Sequence, residues 1–93
     1  METELEWDEE KSRANRKKRG FGFEIVKDFD WNLSSPVELQ WVEGEEREVR
    51  VGPIGSALYV VVTTERPNAL RIISLRKAMR EEKRRWREDM SDG

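Results

Sequence analysis

The side chains with chemistry to offer are arginines and lysines. They fall in three groups: Lys11 to Arg19, the turn Glu65-Arg66, and Arg71 with Arg76, Lys77, Arg80 and Arg84. A guanidinium stays charged and presents a fork of donors, which suits a phosphate whose negative charge grows during reaction. Arg71 lies within an apolar strand pattern, so it must either meet an acid or face a cleft, because a half-buried cation is costly alone. Trp86 can stack a base or fill a helix–sheet core. Taken together the cations favour an RNA phosphate backbone, but periodicity does not separate RNA from an acidic protein.

Other chemistries are short of parts. The sequence has no cysteine and no histidine, so there is no disulfide, no thiolate metal site, and no Ser-His-Asp or Cys-His arrangement. The acids are plentiful but local in sequence, and no metal site is expected. Gly20-Phe21-Gly22 is too short for a phosphate loop, does not follow a strand, and reads as a turn between helices. No cofactor is implied.

These residues sit in a chain of 93, enough for one domain with one core. Charged residues make up 41% and hydrophobic ones 35%, lean for a folded domain, yet the apolar residues are clustered. The net charge of -2 conceals blocks of opposite sign. Glu2, Glu4, Glu6, Asp8, Glu9 and Glu10 come first, then Lys11, Arg13, Arg16, Lys17, Lys18 and Arg19, and the chain beyond residue 70 is basic again. Local fields of this kind steer a polyanion more than the net charge does. No apolar run approaches the roughly 20 residues of a membrane span, and no signal peptide is visible, so a cytoplasmic protein without a membrane partner is expected.

The elements that must position the cations can be read from pattern. Leu5-Glu6-Trp7 alternates as a short edge strand. Asp8 is a good N-cap, Glu9 and Glu10 complement the dipole of a helix over 9–19, and Gly20 stops it. Phe23, Val26 and Phe29 at spacing three, with Ile25 at spacing four from Phe29, predict a short amphipathic helix over 22–30. Asn32 to Pro36 is loop. Val37 to Val42 and Arg47 to Val51 alternate as half-buried strands around a Glu43-Gly44-Glu45 turn. Leu58 to Thr64 has no alternation and predicts a central strand covered on both faces. Leu70 to Leu75 returns after a turn at Pro67-Asn68, and a helix over 76–89 follows, anchored by Met79 and Trp86. The expected architecture is α+β: a small antiparallel sheet of four or five strands with two N-terminal helices and a C-terminal helix, in one domain spanning 1–93.

Several of these stretches recur together in one known family. Leu5-Glu6-Trp7-Asp8-Glu9-Glu10-Lys11 with Asn15, Lys18 and Gly20, then Phe23-Glu24, Gly44-Glu45, Arg47, Gly52, Val60 to Arg66, and Arg71-Ile72-Ile73-Ser74-Leu75-Arg76-Lys77-Ala78 with Glu82, resemble the BrnT family of bacterial toxins. The resemblance runs from residue 5 to about 86 and frames a toxin domain of about 5–88 with flexible ends. It implies a RelE-like fold, metal-independent cleavage of RNA, silencing by a BrnA-like antitoxin, and contact with operator DNA only through that antitoxin. The basic surface would then bind RNA when free and an antitoxin when silenced. Two histidines usual in the family are absent here: Lys18-Arg19-Gly20 stands where Lys-His-Gly is usual, and no histidine lies between Val37 and Glu46. Trp86 stands where the family has tyrosine. Arg19 stays protonated and cannot be a general base.

On this reading the protein is an endoribonuclease toxin that inhibits translation. Arg66, Arg71 and Arg76 stabilise the reacting phosphate, Glu65 or a nearby carboxylate is the base, and Lys11 or Lys77 is the acid. Lys18, Arg19, Lys77 and Arg80 hold the RNA backbone. The alternative, favoured by the missing histidines, is a diverged module that binds nucleic acid or an antitoxin without cleaving.

Overall fold

Asp8 opens the first helix in the way its type predicts. In the computed structural model, which describes residues 3–91, the Asp8 carboxylate accepts from the N–H groups of Glu10 and Lys11 at 2.8 and 3.3 Å. Helix α1 runs Glu9–Arg19 and ends on Gly20, whose φ of 93° few other residues adopt without strain. Ahead of it lies β1, Leu5–Trp7. Two 3₁₀ segments follow, Phe23–Asp28 and Trp31–Leu33. The chain then forms β2 (Ser35–Val42), β3 (Glu45–Ile54), β4 (Ala57–Arg66), β5 (Ala69–Lys77) and helix α2 (Arg80–Ser91). Of the ends expected to flank a domain of about 5–88, residues 1–2 and 92–93 lie outside the described residues, and 89–91 continue α2.

The five strands make one sheet in the order β1-β5-β4-β3-β2. Strands β2 to β5 form an antiparallel meander, as their turn signals require. Strand β1 is parallel to β5, with Leu5 opposite Leu70 and Trp7 opposite Ile72. The sheet is therefore mixed and not antiparallel throughout, because a three-residue strand shows alternation but carries no signal of direction. The fold class, α+β, is as expected. Among the described residues no helix is long and apolar enough to cross a membrane.

The second N-terminal helix is also different. Phe23–Asp28 is 3₁₀ and not α. A spacing of three fits three residues per turn as well as it fits 3.6, and Phe29 then leaves to bridge Ile54 on β3. At the other end, α2 starts at Arg80. Arg76 and Lys77 remain in β5, opposite Val60 and Tyr59, where a strand partner outweighs their helix propensity.

Both sheet faces are partly covered. On the front face Phe23, Val26 and Phe29 pack on Tyr59, Val61, Ile72 and Leu75. Gly52 allows this: a Cβ there would sit 2.7 Å from the Phe29 ring. On the back face Val49, Val51, Val60 and Ala78 form a smaller cluster under Trp86. The Trp86 indole N–H donates to the Leu33 carbonyl at 2.7 Å, so this half-buried tryptophan packs on the back cluster and pins α2 to its own sheet. Met79, expected to share that anchoring, is 64% exposed; it precedes α2, and its N–H donates to Glu82 Oε1 at 2.8 Å, the return half of a capping box.

Candidate nucleic-acid interface

Cross-strand neighbours share a sheet face, and alternate residues along a strand return to it. Glu6 lies opposite Arg71, and Arg71 opposite Thr64. Arg66, two residues beyond Thr64, shares their face. So does Arg76, which is opposite Val60 of the back cluster. The back face therefore carries Arg66, Arg71 and Arg76 together. Arg66 is paired with Ala69, two residues before Arg71, a diagonal neighbour about 7 Å away by sheet geometry. Arg76 stands farther along, roughly 15 Å from Arg71 at strand rise.

Each of these arginines meets a carboxylate of its own chain. Arg71 Nη1 donates to Glu6 Oε2 at 2.8 Å, and Oε1 of Glu6 has no partner among the described residues. Arg66 Nη1 donates to Glu45 Oε1 at 2.6 Å, and Arg47 Nε to Glu45 Oε2 at 3.2 Å. Arg76 forks onto both oxygens of Glu82, at 2.8 and 2.7 Å. Arg47 was not singled out as a site residue; its alternation with Glu45 and Val49 on β3 places it on the back face and was the available signal.

The charges act on one another as these contacts dictate. Arg66 first, then Arg47, holds the Glu45 carboxyl below its ordinary value. The Arg76 fork lowers Glu82 despite some burial, with help from the Met79 N–H, and Glu82 in turn raises Arg76. A carboxyl depressed in the folded state adds stability above its unfolded value, about 4.3, and loses it as pH falls through the lower folded value. Glu82→Gln is accordingly expected to flatten the acid limb of a melting-temperature profile from pH 7 to 3. At pH 7 it should lower the melting temperature by about 4 °C, since the pair is partly exposed.

The remaining expected residues are placed elsewhere. Glu65 is opposite Leu70, a residue that shares the face of Leu5 and Trp7, and so points to the front, away from the three arginines. Lys11 sits in the first turn of α1, and among the described residues no hydrogen bond or ion pair joins it to them. Lys18 and Arg19 form the last turn of α1. The loop after them brings Phe21 edge-on to Tyr59, with centroids 5.2 Å apart, and Tyr59 is opposite Lys77. Lys18, Arg19, Lys77 and, three residues on, Arg80 thus gather toward one end of the sheet, and none has an ion-pair partner among the described residues.

Ser12, and Asn15 of the recurring stretches, have structural work. Ser12 Oγ accepts from the Phe23 N–H at 2.8 Å, and Asn15 Nδ2 donates to the Phe21 carbonyl at 2.9 Å. Both fix the turn that lays the first 3₁₀ segment against α1. Among the described residues no group of three or more acids is placed to hold a metal ion.

A small α+β domain with a file of paired arginines on one sheet face and free cations at its end is defined by these observations. The model of the family described as ribonuclease toxin, BrnT, of type II toxin-antitoxin system matches residues 7–82. The chain belongs to that family, and its class is ribonuclease toxin with an antitoxin protein as partner and RNA as target. No curated protein and no solved structure matches it.

Proposed function

We propose that the chain is a cytoplasmic, metal-independent endoribonuclease with a RelE-like fold, cutting RNA on the back face of its sheet, and that it is neutralised by a BrnA-like antitoxin through which alone it meets operator DNA. The observation that carries this reading is the file of arginines on one face, each held by a carboxylate that a phosphate can replace. Arg66 and Arg71 are close enough to share one phosphate. Arg76 takes a flanking phosphate, and Lys18, Arg19, Lys77 and Arg80 continue the backbone contact.

The chemistry is internal transfer. A carboxylate takes the proton of a 2′-hydroxyl, whose oxygen attacks the adjacent phosphorus. Charge builds on the phosphorane and is met by the guanidinium groups. The bond to the 5′-oxygen breaks, that oxygen takes a proton from a lysine, and a cyclic phosphate remains. Glu6 is the better-placed base than Glu65, since it lies on the arginine face with one oxygen open. Lys77 is opposite Tyr59 of the front cluster and lies beyond Arg76 on β5, out of reach of a phosphate held by Arg66 and Arg71, which leaves Lys11 as the acid of the two lysines.

Incubating the purified, antitoxin-free protein with total RNA in excess chelator tests this. The expected result is cleavage to fragments ending in cyclic phosphate. A folded protein that leaves RNA intact both alone and with added ribosomes would instead be a binding module, the reading that the missing histidines favour.

A further inference from the structure

The end of the sheet remote from α1's C-terminus has a front face that nothing among the described residues covers. The 3₁₀ segments pack on Tyr59, Val61, Ile72 and Leu75 and stop short of it. Leu39 and Trp41 of β2 stand there 62% and 71% exposed. Register puts acids beside them on the same face: Glu48 opposite Leu39 and Glu46 opposite Trp41. Glu65 and Leu70 complete the surface, and an open groove runs along it between Leu39 and Leu70. Glu48 is engaged by Arg50. Glu46 and Glu65 have no ion-pair partner among the described residues. The strand bearing Leu39 and Trp41 is also the sheet's outer edge. Its bulge and proline protect only the beginning, near Pro36.

Exposed apolar side chains on an open edge are a liability that natural domains cover, and the acids say with what. RNA is repelled by Glu46 and Glu65. A second copy docked about a two-fold axis would set the same acids against each other. We infer that this face receives an amphipathic segment of a partner protein, apolar where it meets Leu39, Trp41 and Leu70, and bearing lysine or arginine toward Glu46 and Glu65. Resting on the toxin reading, that partner is the antitoxin. It then docks on the acidic front face, opposite the arginines, and not on the basic surface that sequence alone suggests.

The test titrates the full chain with a 14-residue amphipathic peptide of leucine and lysine, and with its glutamate counterpart, by fluorescence anisotropy. Trp41→Ala and Glu46→Lys are assayed beside the parent, with thermal melts confirming folding. Binding of the lysine peptide alone, weakened at least tenfold in each variant, is expected; Glu46→Lys sits on an exposed strand position and guards against a fold defect in Trp41→Ala. Equal affinity for both peptides, equal affinity in parent and variants, or self-association of the free protein that Glu46→Lys abolishes would each overturn the inference. The partner's identity is read separately. Antitoxin complex formation that either variant weakens tenfold supports it, and a complex indifferent to both overturns it. Ribonuclease activity enters none of these readouts, so the docking surface can fail while the catalytic reading stands, and the reverse.

Discussion

Replacing Arg66 and Arg71 together by alanine is expected to lower RNA cleavage by roughly a thousandfold while leaving the protein folded. Removing one preorganised donor from a developing oxyanion costs about 10²–10³ in rate. The second removal adds less than its full share, because both groups serve one phosphate. The fold should survive. Both side chains are partly exposed, their pairs with Glu45 and Glu6 are surface contacts, and such pairs contribute about 0–1 kcal/mol each. Single-turnover cleavage of a defined RNA, with circular dichroism on the same sample, separates the two effects. Full activity in a folded double variant would remove these arginines from the mechanism. A loss confined to RNA affinity would make them binding groups only.

The second large effect falls on stability. Leu75→Ala is expected to lower the melting temperature by about 15 °C. Leu75 has no exposed surface and packs between the 3₁₀ segment and the sheet. Truncating a leucine so enclosed costs about 3 kcal/mol, from lost transfer energy and the cavity left behind. For a domain of this size each kcal/mol moves the melting temperature by about 4–8 °C. A thermal melt decides it, and a shift below 5 °C would mean that the 3₁₀ segment settles into the space. Cleavage of RNA should persist at temperatures below the new midpoint, since Leu75 faces away from the arginines.

Much of this arrangement was legible because local physics decides it. Asp8 and Gly20 bound α1 through capping and a left-handed turn. The unbroken run Leu58 to Thr64 marks the central strand because both faces there are covered, Val61 from the front and Val60 from the back. The family stretches reported the same chain from another direction. What stayed hidden depends on partners distant in sequence. The direction of β1 is fixed by β5. The 3₁₀ geometry of Phe23–Asp28 is fixed by the bridge from Phe29 to Ile54. Arg76 and Lys77 stay extended because β4 supplies partners. The site was legible as residue types and less so as a constellation. Alternation along β4 already separates Glu65 from Arg66, but only the register with β5 shows that Arg66 joins Arg71. No local signal shows that Glu6, Glu45 and Glu82 already occupy the arginines.

Strand β1 has a kinetic consequence. It is three residues long, and its Glu6 meets Arg71 across 65 positions of chain. The meander of β2 to β5 closes through short turns, whereas β1 must find its place across a loop of that length, and long-range pairing is slow to form. Strand β1 is therefore expected to dock after the meander has formed. Before β5 has formed, Glu6 has no arginine beside it. In the finished protein the same strand, held by few contacts, should be among the first to release its amides to exchange.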